Sequence, residues 1–185
     1  MNSVFFAALA AGIFLAAGAI IIWWIITSND FKRKRIKVSE GFSGIEVALT
    51  KRFNVLTKLL DVTRKYAAHE KELFEQLVSI RKGMSLEQLK DANAKMDKVT
   101  GRIYAVAEGY PELRSAEVFT ELQSGIKNVE EHLQAARRAF NSNVTAYNSA
   151  IVVFPASIVA KAQHRLPEEF FQAEETGKED VKMAF

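Results

Sequence analysis

The chain has 185 residues, 49% hydrophobic and 25% charged, with a formal net charge of +3 and no cysteine. That length suits one domain with room for an extra segment. The missing cysteine excludes a disulfide framework, a Cys-ligated zinc or iron–sulfur centre and a thiol nucleophile.

Val4 to Ile26 is a run of 23 residues with no charged or strongly polar side chain. As a helix it reaches about 34 Å, enough to cross a hydrocarbon core of about 30 Å. Trp23 and Trp24 stand at its C-terminal end, where amphipathic rings favour the interface. A secretory signal would place basic residues before a shorter apolar run, whereas here Met1, Asn2 and Ser3 precede it and the cations follow. The expectation is an uncleaved single-pass anchor, N-terminus outside and C-terminal domain cytoplasmic. Ala8, Gly12 and Ala16 recur at the spacing that lets membrane helices approach closely. They can form a homo-oligomer face, or reflect an Ala-rich composition.

The basic residues are Lys32, Arg33, Lys34, Arg35 and Lys37, with Asp30 before them. Taking these five basic groups and one acidic group from the totals of 25 and 22 leaves 20 and 21. The basic character therefore belongs to the juxtamembrane stretch, and the remainder lacks the surplus of a nucleic-acid binder. The cluster acts as a topology signal or as a site for anionic lipid head groups.

Downstream the apolar spacing is three-and-four throughout, which predicts helices. The first spans about Ser39 to Arg81, with Phe42, Ile45, Leu49, Phe53, Leu56 and Leu60 on one stripe and Gly83 as a C-cap. Gly41 and Gly44 weaken its junction with the membrane segment, and Tyr66–Glu70 is a possible break. The second spans about Leu86 to Gly109, opened by a Ser85/Gln88 capping-box spacing. The third opens near Ser115 and ends before Pro155, its stripe running from Phe119 to Phe154 with a slip at Asn143. A short fourth covers Ala156 to Arg165.

One-faced helices bury their stripes on one another. The predicted fold is all-α: a transmembrane helix, then an up-and-down antiparallel four-helix-type bundle with long helices. The expected organisation is an anchor over 1–27, a basic juxtamembrane segment over 28–38, a bundle over 39–167 and a solvated acidic tail over 168–185.

Catalytic signatures are missing. The residues three before His69, His132 and His164 are Tyr66, Val129 and Lys161, so the Glu-x-x-His pairs of a di-iron bundle are absent. His69-Glu70 has Leu73 where a zincin needs its second histidine, and no phosphate loop or nucleophile elbow occurs. No catalytic residue, metal site or cofactor is predicted, and a non-enzymatic role is favoured. Arg137, Asn141 and Asn148 do share one helix face beside the seam of Leu133, Phe140, Tyr147 and Ile151. They read as a buried register-fixing network or as a ligand site, with His69 and Glu70 as candidate partners.

Several stretches in order carry a resemblance: Lys51-Arg52-Phe53, Tyr66-Ala67-Ala68-His69-Glu70, Ala105 through Leu113 with Tyr110-Pro111 inside it, Ala136-Arg137-Arg138, Phe140-Asn141, Tyr147-Asn148 and Phe154-Pro155. Together they resemble the LemA family over almost the whole chain. Thr57 stands where that family usually has proline, which should straighten the first helix. Asn54 replaces a common acidic residue, and Glu131 a common asparagine. The resemblance implies a bacterial inner- or cytoplasmic-membrane protein with a mostly four-helix bundle and supplies no reaction. Among the residues quoted, His69, Glu70, Tyr110, Pro111, Arg137, Asn141, Tyr147 and Asn148 are the candidate structural or interaction residues. Some relatives are associated with membrane remodelling, and some sit beside membrane proteins with a TPM domain. The leading expectation is thus a membrane-anchored scaffold for protein partners. A lipid-engaging module and, more weakly, a cofactor-binding or enzymatic bundle are the alternatives.

Overall fold

A computed structural model describes residues 2–64 and 83–171, with side chains from residue 5 onward. Five helices and no strand occur among the described residues: α1 (Asn2–Arg64), α2 (Leu86–Gly109), α3 (Pro111–Ser115), α4 (Glu117–Val152) and α5 (Ala156–Ala162). The all-α expectation holds. The chain divides into two units, one of residues 1–40 and 141–169, the other of residues 41–140 and 170 onward.

In the first unit, α1 is the one described helix long and apolar enough to cross a membrane, and its most apolar window is not buried inside the protein. Phe5, Ile13, Phe14, Leu15, Ile20 and Ile26 are all exposed. Further along, Phe31 and Val38 of α1 are buried, as are Val144, Tyr147 and Ile151 of α4 and Val159 and Ala160 of α5. Asn143 Nδ2 donates to the Lys37 carbonyl at 2.8 Å, and Gln163 Nε2 donates to Ser28 Oγ at 2.9 Å. These bonds tie α4 and the end of α5 to α1.

α5 ends at Ala162 rather than at Arg165. The His164 amide donates to the Lys161 carbonyl at 3.1 Å and the Arg165 amide to the Ala160 carbonyl at 3.0 Å. This is a Schellman stop, with His164 at φ 50° in the left-handed position that glycine usually takes. The Phe154–Pro155 peptide between α4 and α5 is cis. The expected stripe runs past the helix here: Phe154 is exposed, because α4 stops at Val152 and the next residues no longer follow its period.

The second unit is built around Leu56, Leu59 and Leu60 of α1, Met96, Val99 and Ile103 of α2, Leu113 of α3, and Phe119 and Ile126 of α4. All but Leu59 and Leu113 lie on the stripes that the three-and-four spacing selects. The α2 limits and its capping box agree with expectation: Gln88 N donates to Ser85 Oγ at 3.2 Å and Ser85 N to Gln88 Oε1 at 2.8 Å. Two core threonines are satisfied locally. Thr63 and Thr100 each donate to a carbonyl four residues back, at 2.8 Å in both cases. Helix α1 runs unbroken through Gly41, Gly44 and Thr57, whose hydroxyl donates to the Phe53 carbonyl at 2.9 Å. The Tyr66–Glu70 break and the far end of the first predicted helix lie outside the described residues.

Candidate functional site

The most concentrated polar arrangement lies in the second unit, around an arginine that the helix pattern alone would leave in solvent. Arg52 sits on α1 between stripe residues Leu49 and Leu56, and its side chain is 3% exposed. Burial of a guanidinium requires partners on every side. Two of its nitrogens find them. Nη1 donates to Asn93 Oδ1 at 2.8 Å, while Nη2 donates to Asp97 Oδ1 at 2.6 Å and to Glu130 Oε1 at 3.2 Å. Asn93 Nδ2 in turn donates to Asp97 Oδ2 at 3.0 Å. The i, i+4 spacing of Asn93 and Asp97 on α2 presents both acceptors to the same guanidinium. The network therefore joins α1, α2 and α4.

Arg137, one of the sequence candidates, belongs to the same electrostatic neighbourhood. Burial lowers its guanidinium below its ordinary value, Asp97 pulls it back up, and Arg52 pushes it further down. Its Cζ lies 4.9 Å from the centroid of the Phe171 ring, a cation–π contact, and Phe171 is itself buried. Arg137 Nε and Nη2 are buried with no hydrogen-bond partner among the described residues, as is Arg52 Nε. Tyr104 borders the group: burial raises its phenol above 10, Glu130 adds to the rise and Arg52 opposes it. Two guanidiniums thus face two carboxylates, and the charges cancel. No cluster of three or more metal-ligating side chains occurs among the described residues.

Asn148, expected beside Arg137, has partners of its own in the first unit. Its Nδ2 donates to the Glu168 carbonyl at 2.9 Å, and the Glu168 amide donates to its Oδ1 at 2.8 Å. The side-chain amide thereby pairs with the backbone as a strand neighbour would. The Glu168 carboxylate meets Arg35 Nε at 3.2 Å. The start of the acidic tail is therefore held against the basic cluster, where a solvated end was expected. Tyr147 is buried beside this clamp and, with Arg35, His164, Arg165 and Glu168, lines a recess of about 330 Å³. Asn141 is half-buried, and its carbonyl accepts from the Thr145 hydroxyl at 2.9 Å.

Tyr110 is exposed at the α2–α3 junction, and Pro111 opens α3 at the first helical position. Lys34 pairs with Asp30. Lys32, Arg33 and Lys37 are exposed and in no ion pair among the described residues. His69 and Glu70 lie outside the described residues. Sequence reasoning missed Arg52, Asn93, Asp97, Glu130 and Tyr104 as site residues. Only the Asn93/Asp97 spacing beside the stripe could have pointed to them, because their partners come from helices far away in sequence.

The sequence profile of the LemA family matches residues 41–185, more than half of the chain. The chain belongs to the LemA family. It is 24% identical over 172 residues to Protein LemA of Metamycoplasma hominis, covering 90% of this chain and 78% of that protein. It is also 24% identical over 193 residues to Magnetosome protein MamQ of Magnetospirillum gryphiswaldense, covering 88% and 71% respectively. With the exposed apolar run of α1, this LemA-family chain is a membrane protein with bacterial relatives.

Proposed function

We propose that this LemA-family chain is a non-enzymatic, membrane-anchored scaffold that presents its second helical unit to protein partners at the inner face of a bacterial cell membrane. The observation that supports it most is the continuity of α1, whose exposed apolar run leads as one helix into the segment carrying Arg52. The polar groups buried there face one another: Arg52 is matched by Asn93, Asp97 and Glu130, an arrangement suited to fixing helix register. Neither relative's name denotes a reaction, which fits the same reading. The cations after the apolar run orient the chain with its N-terminus outside and the helical unit cytoplasmic. Its partner is a membrane protein, with one bearing a TPM domain as the first candidate, and Ala8, Gly12 and Ala16 offer a face for a second copy.

A photo-crosslinking residue at Val118, which is exposed on α4, tests this in native membranes. A reproducible adduct to a protein other than a second copy of this chain supports the scaffold. Recovery of lipid and self-adducts alone overturns it. A second reading, engagement of anionic lipid by the basic cluster, draws on Lys32, Arg33 and Lys37, which no described acid neutralises. It requires that neutralising these three lowers the affinity of the protein for acidic vesicles at low salt.

A further inference from the structure

The corner between α4 and α5 carries a second apolar surface. Val152, Val153, Phe154 and Ile158 are 69, 57, 76 and 52% exposed, whereas Val159 and Ala160 on the other side of α5 are buried. Single exposed apolar side chains are ordinary, but four within seven positions form a patch that something must cover.

Its height along α1 comes from two hydrogen bonds inside the first unit. Asn143 is bound to Lys37, and Gln163 to Ser28. Lys37 and Ser28 lie nine residues apart, about 13.5 Å along α1, and Asn143 and Val152 are equally spaced along α4. Helix α4 therefore descends beside α1 until its end stands level with Ser28, two residues beyond the apolar run that closes at Ile26. There α5 turns by 92°. It lies across the axis of α4, in the plane of any bilayer that α1 crosses. About 6–7.5 Å further along α1 stand the exposed cations Lys32 and Arg33, and the exposed Lys161 stands at the end of α5. A short segment with an apolar open face and flanking cations matches the boundary between acyl chains and anionic head groups.

We propose that the α4–α5 corner is seated in the interface of the bilayer that α1 spans, with Phe154 and Ile158 inserted and anionic phospholipid as the occupant. The membrane then covers the corner for the same reason that it covers residues 5–26. A second attachment beside the span stops the first unit from rotating freely about α1. The proposal rests on α1 being a membrane span, and its test separates the two.

The chain has no cysteine, so Phe154→Cys, Ile158→Cys, Ile22→Cys and Ala146→Cys each give one nitroxide label on the full-length protein. The labelled proteins are reconstituted in vesicles of phosphatidylethanolamine and phosphatidylglycerol, and collision rates with oxygen and a polar nickel complex are compared. All four positions are exposed, so the label leaves the core intact, and the two corner positions check each other. Positions 154 and 158 should favour oxygen several-fold, as position 22 does, while position 146 favours nickel. Aqueous readings at 154 and 158 beside a lipid reading at 22 overturn the proposal and leave the span standing. An aqueous reading at 22 removes both. Apolar readings that vanish on tenfold dilution of protein in lipid mean that a second copy covers the corner, which also overturns it.

Discussion

Removing both carboxylates that face Arg52 should cost the second unit more than removing the arginine along with them. In the double variant Asp97→Ala/Glu130→Ala, the Arg52 guanidinium, whose side chain is 3% exposed in the intact chain, keeps only Asn93 as a partner. Breaking a buried ion pair from one side costs about 3–5 kcal/mol. Asp97 and Glu130 are themselves 56% and 43% exposed, so solvent screens the pairs and the lower end applies, about 3 kcal/mol. Adding Arg52→Met removes the stranded charge and fills its volume with an apolar chain, so the triple variant should recover at least half of the loss. Hydrogen exchange at the Val99 and Ile103 amides of α2 reads this directly, because both residues are buried in the second unit's core. About 3 kcal/mol corresponds to exchange faster by roughly a hundredfold, and the triple variant should be slower than the double by about tenfold. A triple variant that exchanges as fast as the double would refute the account, since the cost would then lie in lost contacts and not in an uncompensated cation.

Three smaller effects follow from single residues. Asn148→Ala removes two hydrogen bonds to Glu168, each with a net value of about 0.5–1.5 kcal/mol, so the Glu168 amide should exchange about five- to a hundredfold faster while α2 is unaffected. The Tyr104 phenol is raised above 10, so it keeps its proton in the folded chain after the unfolded chain has lost its own. Its contribution to stability is complete below pH 10 and is lost as pH rises through the folded value. In an ultraviolet titration Tyr104→Phe should therefore remove a late-ionising phase seen in the unsubstituted protein. His164→Gly relieves the left-handed backbone at the end of α5 and should stabilise the first unit by up to about 1 kcal/mol, visible as slower exchange at the Arg165 amide.

The helices were readable because their signals are local. Ser85 and Gln88 satisfy each other within one turn, and the stripe from Leu89 to Ile103 is buried at every step. Gly41 and Gly44 were expected to weaken α1 because glycine costs about 1 kcal/mol in a helix, yet the burial of Val38 and Ile45 on either side holds the helix through them. The site was less legible. Arg52 follows Lys51, and such a pair looks like a solvated face until Asn93, 41 residues away, is seen to meet it. Arg137 and Asn148 share a helix face in sequence, but one meets Phe171 and the other the Glu168 backbone. Periodicity reports which side of a helix a residue occupies, not which neighbour arrives there. Phe154 shows the complementary error, because its apolar character continues the α4 stripe past the point where the helix ends.

The compartment that holds the helical units decides the account most directly. Ala135→Cys places a lone thiol on the exposed surface of α4. A membrane-impermeant maleimide should leave it unlabelled on intact spheroplasts and label it fully once the membrane is permeabilised. Equal labelling before and after permeabilisation would put the unit outside and contradict an inner-face scaffold.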